Sequence, residues 1–180
     1  MELTLTRYTG AETLALIPEL KPLYADAYSE PPYEMSNEDI EQFEVRITKH
    51  SNLDGFTLVA GNVDGDLVGF TYGFTFQPGR WWTGIKTDPA PDDIAADPIF
   101  AVIELGIRKA SRGNGYSRQL VDALLADRPE GFASLISRPG AQAHAMYQRW
   151  GWKKVGNTQT YAHWPVEDIS ILPLHDIKSS

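Results

Sequence analysis

The chain has 180 residues, with 24 acidic and 16 basic side chains, a net charge of -8 and no cysteine. The acidic balance argues against general nucleic-acid binding, which needs a basic face, and weakly favours a cationic partner. The lack of cysteine excludes disulfides, thiolate catalysis and cysteine-ligated zinc. The first residues lack a signal-peptide pattern and no apolar run reaches transmembrane length. We therefore expect a soluble, cytoplasmic protein that makes no membrane contact.

The first third of the sequence predicts one strand and two helices. The predicted elements are a strand over residues 3–7, a helix over residues 11–28 and a second helix that ends near Lys49. Pro18 and Pro22 are expected to shorten, kink or split the first helix, because proline lacks an amide donor. The sequence SEPPYEMS, residues 29–36, then blocks regular structure. Ser36 and Asp39 resemble a capping box at the start of the second helix.

The remainder of the sequence alternates strands and helices. The predicted elements are strands over residues 55–63, 67–76, 99–107 and 132–137, helices over about residues 114–126 and 141–150, and late strands over about residues 158–163 and 168–174. Asp64-Gly65 is typical of a two-residue hairpin turn. Proline and glycine throughout residues 77–97 predict a loop. The order of these elements predicts a mixed sheet with helices packed on it.

SRGNGYSRQL, residues 111–120, places two arginines and two glycines where a helix is predicted to begin. The dinucleotide-binding motif fails because Arg118 stands where a third glycine is required, and the Gly-Lys-Ser/Thr of a P-loop is absent. The glycines still let the backbone approach a ligand, and the amides of about residues 114–117 are donors at a helix start. With Arg112 and Arg118 beside them, these amides suit a diphosphate. The alternative is a tight glycine turn flanked by solvated arginines.

The context of this stretch resembles the acyl-CoA-binding motif of the GNAT (GCN5-related) N-acetyltransferase superfamily. Leu105 and Ile107 end an apolar strand, and Arg112, Gly115 and Ser117 follow at the spacing of that motif. In the family, this loop and helix start bind the pyrophosphate of coenzyme A. Ser117 departs from the glycine or alanine that is usual there, which reduces the space without removing the amide donors.

A second segment, AHAMYQRWGW, strengthens the resemblance. Ala143, Tyr147, Gly151 and Trp152 match a helix that follows the acyl-CoA motif in the same family. The asparagine often found before this helix is replaced by Gly140. A weaker likeness in YSEPPY and YGF is to a subset of bacterial members that act on small molecules.

The resemblance implies a fold class, a donor and its binding residues. It implies an α/β fold over residues 1–180 as a single domain, with a central, mostly antiparallel sheet, a splayed parallel strand pair and helices on both faces. The donor would be acetyl-CoA, held by backbone amides of the strand and by the loop that follows it. The implied binding residues are Leu105, Gly106, Ile107, Arg112, Gly113, Asn114, Gly115, Tyr116, Ser117 and Arg118.

Two residues are candidates for the proton transfers of acetyl transfer to an amine. Tyr147 is the candidate general acid toward the leaving thiolate, with a packed core tyrosine as the alternative. Glu104 is the only charged residue between Pro98 and Ile107, so it needs a partner or a function. It is a candidate base or an anchor for the acceptor's cation, and a salt bridge to an arginine is an equal alternative.

Aromatic and acidic residues in two proline-rich regions are candidates for binding the acceptor, since they suit an organic cation. These residues are Tyr28, Glu30, Tyr33, Trp81 and Trp82, and for each of them packing is an equal alternative. His144 is interpreted as polar surface. The four histidines show no ligand spacing, so no metal is expected.

The leading hypothesis is an acetyl-CoA-dependent N-acetyltransferase that acts by direct transfer on a small primary amine, of the polyamine, aminoglycoside-like or amino-acid-derived type. One alternative keeps the fold but uses another acyl group or acceptor, and the other is a non-catalytic acyl-CoA-binding or sensor module. A homodimer is one assembly that such a domain can form.

Overall fold

The computed structural model describes residues 2–31 and 33–175, and within them it contains eight strands and five helices. The strands are β1 (Thr4–Tyr8), β2 (Thr57–Val63), β3 (Asp66–Phe76), β4 (Lys86–Thr87), β5 (Ile99–Ile107), β6 (Phe132–Ser137), β7 (Lys153–Gln159) and β8 (Glu167–Pro173). The helices are α1 (Gly10–Ala27), α2 (Asn37–His50), α3 (Asp92–Ala95), α4 (Tyr116–Leu125) and α5 (Gln142–Arg149), with a 3-10 turn at Lys109–Ser111. None of the helices in these two ranges is both long and apolar enough to cross a bilayer.

The strands form one mostly antiparallel sheet in the order β1-β2-β3-β5-β6-β8-β7-β4, in which β5 and β6 are the parallel pair. This confirms the predicted fold class. The chain divides into two compact units. Unit 1 holds the described residues up to Phe74 together with Val102–Ala126, and unit 2 holds Thr75–Ala101 together with the described residues from Asp127 onward.

Helix α1 in unit 1 runs unbroken from Gly10 to Ala27, although both prolines lie inside it. The expectation that they would shorten or split the helix was wrong. Pro18 and Pro22 are exposed and one turn apart, and the side chain of Leu14 one turn earlier is also 44% exposed. The carbonyl groups that lose an amide partner therefore lie on the solvent side of the helix, where water can bond them. The capping box predicted at Ser36 and Asp39 is present at the start of α2.

Adjacent residues of β3 show that unit 1 has helices on both faces of its strands. Phe70 is fully buried and its ring centroid lies 5.8 Å from that of Phe43 in α2. Gly69, which faces the opposite way, is so close to α4 that a Cβ there would lie 3.0 Å from Leu120. The β2–β3 hairpin has the predicted two-residue turn, with φ of 51° at Asp64 and 87° at Gly65.

Unit 2 contains the parallel pairing, which joins Ile99–Ala101 of β5 to the first three residues of β6. Beside it lies a buried ion pair. The Arg128 Nε atom lies 2.8 Å from Glu130 Oε1, and the Thr75 hydroxyl donates to Glu130 Oε2 at 2.9 Å. The Arg128 guanidinium also lies 4.0 Å from the ring centroid of Phe100 in β5. These contacts fasten β5 to the segment that leads into β6.

Three predictions differ from the structure in ways that have a physical reason. The predicted loop over residues 77–97 contains the short elements β4 and α3. The first late strand was predicted over residues 158–163 but runs over Lys153–Gln159, where antiparallel pairing with β8 outweighs the weak strand preference of lysine, glycine and asparagine. Helix α4 begins at Tyr116 because Gly115 is left-handed, with φ of 77°. Pro32 of the predicted irregular segment lies outside the described residues.

The close approach of α4 to β3 predicts that Gly69→Ala destabilises the protein. The added Cβ would lie 2.6 Å from Ile107 Cδ1 and 3.1 Å from the Gly106 carbonyl oxygen. We expect the free energy of unfolding to fall by about 1–3 kcal/mol, measured by urea denaturation. Gly131→Ala is the control, because a Cβ at that position has no neighbour within 4 Å. Equal stability of the two variants would contradict the packing described here.

Candidate active site

Glu104 lies in unit 1, in the middle of β5, where Ile103, Glu104 and Leu105 are only half-buried in an otherwise buried strand. Gly106, on the same face, approaches Phe70 and Leu23, so this face is directed toward α1 and α2. The Glu104 side chain is 13% exposed. Its carboxylate is therefore close to the surface but largely removed from water.

Two side chains hold the Glu104 carboxylate. Nη2 of Arg46, from α2, donates to Oε1 at 3.2 Å. The hydroxyl of Tyr28 lies 3.2 Å from Oε2 and 2.6 Å from the carbonyl oxygen of Leu105, and it can donate its one hydrogen to either. The arginine salt bridge considered from the sequence is thus present, and Glu104 also has a phenol on its second oxygen.

Aromatic rings surround this ion pair. The Tyr28 ring centroid lies 4.7 Å from that of Tyr24 and 4.9 Å from that of Tyr33. Arg46 also donates to the Tyr24 hydroxyl at 3.3 Å. Of the predicted acceptor-binding residues, the structure therefore brings Tyr28 and Tyr33 together with Glu104.

The burial of this cluster changes its protonation. Burial raises the pKa of Glu104 above its ordinary value, although Arg46 and the hydrogen bond from Tyr28 lower it in part. Burial and the nearby Glu104 charge raise the pKa values of Tyr24 and Tyr72, so both phenols stay protonated at neutral pH. A carboxyl group with a raised pKa next to neutral phenols can accept and release a proton nearer to neutral pH than an exposed glutamate can.

The glycine-containing loop follows β5 and leads into α4, also in unit 1. Gly113 and Gly115 have φ of 82° and 77°, and a Cβ at either position would meet nothing within 4 Å. The side chain of Asn114 donates to the Ser111 carbonyl at 2.9 Å, which closes the turn. No side chain caps the start of α4, where Gly115 is the N-cap residue. The loop is therefore open on its outer side and presents a helix start to an anion.

The end of α1 is tied to this loop. Arg112 donates to the Ala27 carbonyl oxygen at 2.7 Å, and the backbone amide of Lys109 donates to the Asp26 carboxylate at 2.8 Å. Glu30, which was predicted to bind the acceptor, instead lies 3.7 Å from Lys109 Nζ and 3.9 Å from Arg112 Nη1.

A cavity of about 510 Å³ lies beside the start of α4 in unit 1. Its lining includes Ser111, Asn114, Tyr116 and Gln119 together with the acidic residues Glu2, Asp64 and Asp66. Arg118 lies 3.4 Å from Asp122 along the exposed face of α4.

Tyr147 lies in unit 2, on α5, and is 7% exposed. Its ring meets those of Trp150 and Trp152 edge-on, with centroids 5.8 Å and 6.0 Å away. Gly151 ends the helix with φ of 94°, as its position predicts. The ring is therefore held in one orientation by two tryptophans.

The indoles of Trp81 and Trp82 are anchored within unit 2. Trp82 donates to the Ser134 hydroxyl at 2.9 Å and packs edge-on against Phe76, 5.0 Å between centroids. Trp81 donates to the Asp88 carbonyl at 3.1 Å. Both indole nitrogens donate hydrogen bonds within unit 2, which agrees with the alternative that these two tryptophans are packing residues.

His144 is paired with a buried carboxylate, so the interpretation as polar surface was incomplete. Its Nε2 atom lies 2.8 Å from Asp168 Oδ2, and Lys154 Nζ lies 3.1 Å from Asp168 Oδ1. Although burial opposes it, these two partners hold the pKa of Asp168 below its ordinary value. This ion-pair cluster joins α5 to β7 and β8. Among the described residues, no group of three or more histidine, aspartate or glutamate side chains is placed to hold a metal.

A strand that leads through an open glycine loop into a helix with no side-chain cap suits the phosphates of a coenzyme. The model of the family described as acetyltransferase (GNAT) family matches residues 17–152. The chain therefore belongs to the GNAT acetyltransferase family, and it is an acyltransferase. No curated protein sequence matches it significantly.

Solved structures share this fold. PaiA N-acetyltransferase from Thermoplasma acidophilum, in complex with coenzyme A, is 12% identical with a TM-score of 0.62, covering 96% of this chain and 99% of its own. The ribosomal-protein-S18-alanine N-acetyltransferase from Escherichia coli is 13% identical with a TM-score of 0.63, and the match covers 96% of this chain and 94% of that one. An aminoglycoside 6'-acetyltransferase type Ii is 16% identical with a TM-score of 0.63, and the match covers 95% of this chain and 97% of that one. At these identities the likeness shows the fold.

Arg46 is the main residue of the cluster that the sequence analysis missed. It lies on the same helical stripe as Phe43, Ile47 and His50, which contact the core. A charged residue inside an apolar stripe was the available signal, but its partner is 58 residues away in the chain. Local periodicity contains no information on such a pairing.

The cluster predicts the direction in which the pKa of Glu104 moves in two variants. Since Arg46 and Tyr28 both lower that pKa, Arg46→Gln and Tyr28→Phe should each raise it further. The Glu104 carboxyl carbon can be titrated by NMR with labelled glutamate. Lys21→Gln is the control, because it removes a cation that pairs with Glu41 and Glu44 instead.

The raised pKa of Glu104 also makes the stability of the protein depend on pH in a defined direction. The pKa of Glu104 is higher in the folded protein than in the unfolded chain. This group therefore stabilises the folded protein at low pH, and that stabilisation is lost as the pH rises through the folded-state pKa. A wild-type Glu104 that titrates at or below the ordinary glutamate value would contradict the burial described.

Proposed function

We propose that this chain transfers an acetyl group from acetyl-CoA directly to a primary amine of a small molecule, and that it acts as one catalytic domain. The observation that carries the proposal is the open, left-handed glycine loop at an uncapped helix start in a chain of the GNAT family. Members of that family use acetyl-CoA. Acetyl-CoA, when bound, supplies the activated acetyl thioester.

The loop would bind the diphosphate of the donor. The backbone at Gly113 and Gly115 is uncrowded, since an added Cβ there would meet nothing within 4 Å, and Arg112 is 39% exposed beside them. Glu30 is more than 3.5 Å from both Lys109 and Arg112 and is itself 58% exposed. Such solvent-exposed pairs are weak, so phosphate oxygens can replace the carboxylate at these cations.

Backbone groups of β5 would hold the pantetheine arm. The strand is half-buried only at Ile103, Glu104 and Leu105, next to the implied positions Gly106 and Ile107. The accessible part of the strand therefore shares Leu105 with the residues that the family motif assigns to this role and adjoins the other two. Side-chain identity matters little for bonds to the backbone.

Two side chains would move the protons. Glu104 accepts a proton from the acceptor's ammonium group, a role supported by its raised pKa and its partial exposure. The neutral amine then forms a C–N bond with the acetyl carbon as the C–S bond breaks, and the nitrogen releases its second proton, which replaces the one that Tyr147 gives up. Tyr147 donates a proton to the leaving sulfur, for which its ring is held by Trp150 and Trp152. A cysteinyl acetyl intermediate is excluded because the chain has no cysteine, which supports direct transfer.

The test of this function is thiol release from acetyl-CoA against a panel of polyamines, aminoglycosides, amino acids and short peptides. Mass spectrometry of the products checks for an added acetyl group on nitrogen. Binding of coenzyme A without acetylation of any amine would instead favour the non-catalytic sensor, and an O-acetylated product would favour another acceptor.

Tyr147→Phe tests the general acid. The phenylalanine keeps the ring contacts with both tryptophans but removes the proton donor, so kcat should fall by about 100-fold or more while the Kd for coenzyme A stays close to that of the wild type. Tyr161→Phe is the matched control, since that tyrosine is 46% exposed. Unchanged turnover in Tyr147→Phe would remove the assigned role.

Gly115→Val tests the diphosphate loop. A branched side chain at a positive φ costs about 1–3 kcal/mol of strain, and a shift of the loop that relieves it would misalign the amides. We expect coenzyme A affinity, measured by calorimetry, to fall about tenfold or more. Gly79→Val is the matched control, because Gly79 has φ of 90° and equally open surroundings. Wild-type affinity in Gly115→Val would show that the diphosphate binds elsewhere.

A further inference from the structure

Arg46 has more hydrogen-bonding capacity than its contacts use. Its Nη2 atom donates to Glu104 at 3.2 Å and to the Tyr24 hydroxyl at 3.3 Å. Within residues 2–31 and 33–175, its Nε and Nη1 atoms have no hydrogen-bond partner. These two nitrogens carry three of the five N–H groups of a guanidinium and lie on different edges of it, so one carboxylate can accept from Nη1 or from Nε but not from both. The side chain is 30% exposed, so a ligand can reach it.

The balance of charge at this pair discriminates between acceptors. Glu104 and Arg46 together are neutral, and their neighbours Tyr24 and Tyr28 are phenols. A simple monoamine would bring one positive charge to a largely buried site, and that charge would stay on Arg46 after Glu104 takes the proton. An acceptor that also carries an anion keeps the site neutral before and after this proton transfer. Uncompensated charge in such surroundings is costly.

The spacing fits an anion close to the amine. In an α-amino acid, the nitrogen and the carboxyl carbon are about 2.5 Å apart, from the standard bond lengths and angle. Arg46 Nη2 and Glu104 Oε1 are 3.2 Å apart. An ammonium on Glu104 and a carboxylate on Arg46 can therefore belong to one molecule, aligned antiparallel to the protein's own ion pair.

We propose that the acceptor is an amine that bears an anionic group next to it, of the α-amino acid class, with its ammonium on Glu104 and its carboxylate on the Nη1 atom of Arg46. This rests on the proposed acetyl transfer and narrows its acceptor. It makes Arg46 a specificity-determining residue, and it departs from the cationic acceptor that the net charge of the chain weakly favoured.

The test compares kcat/KM for matched pairs, each an amino acid and its carboxamide, across apolar, polar and cationic side chains. The wild type should favour the free acid by roughly ten- to hundredfold, as expected for charge-assisted hydrogen bonds. Arg46→Gln should bring the ratio close to one, and Arg46→Lys, which keeps the charge but places it on a single ammonium nitrogen, should fall between. The ratio isolates Arg46, because any change in Glu104 affects both members of a pair.

Lys21→Gln is the control and should leave the ratio unchanged, since Lys21 pairs with Glu41 and Glu44. Thermal unfolding confirms that each variant is folded. Aminoalkyl phosphates form a further arm, and a preference for them that depends on Arg46 would assign the anion as phosphate. Calorimetric binding of the amino acid in the presence of coenzyme A gives a readout without turnover.

The outcomes separate the two proposals. Acetylation of amides or simple amines as efficiently as of free acids would overturn the anion site and leave acetyl transfer standing. A preference for acids that persists in Arg46→Gln would overturn the role of Arg46. Binding of free acids that is lost in Arg46→Gln, without any acetylation, would support the anion site while the proposed function fails.

Discussion

A carboxylate in the middle of an otherwise apolar strand is the constraint around which unit 1 is organised. Glu104 is largely removed from water, and a buried charge is stable only when it is paired and hydrogen-bonded. Helix α2 supplies Arg46 and the end of α1 supplies Tyr28. The positions of both helices on β5 are therefore coupled to the one acidic group of the strand. The same burial that demands these partners raises the pKa of the carboxyl group and makes it useful for proton transfer.

The end of α1 links this cluster to the glycine loop. Asp26 and Ala27 accept hydrogen bonds from Lys109 and Arg112, while Tyr28 bonds the backbone of β5. Three successive residues thus contact both the proposed donor loop and the proposed base. Changes in this short segment are expected to affect donor binding and proton transfer together, because neither set of contacts can move without the other.

Proteins with this fold acetylate different acceptors, as a ribosomal-protein alanine and an aminoglycoside acetyltransferase illustrate. The fold and the donor loop alone are therefore insufficient to define an acceptor. Individual side chains near Glu104, such as Arg46 and Tyr33, are where such a difference can arise. Because Glu104 and Arg46 balance each other locally, the net charge of the whole chain does not set the charge at the proposed site.

Local patterns in the sequence determined the central strands β5 and β6 to the residue, the capping box of α2, the hairpin turn and the glycine loop, because each depends on neighbouring residues and their backbone preferences. Tertiary structure decided the rest. Helix α1 tolerates two prolines because its solvent-facing side carries them, β7 forms on lysine, glycine and asparagine because β8 pairs with it, and Glu104 meets Arg46 because α2 packs on the sheet. Each of these depends on contacts between distant parts of the chain, which periodicity along the sequence does not encode.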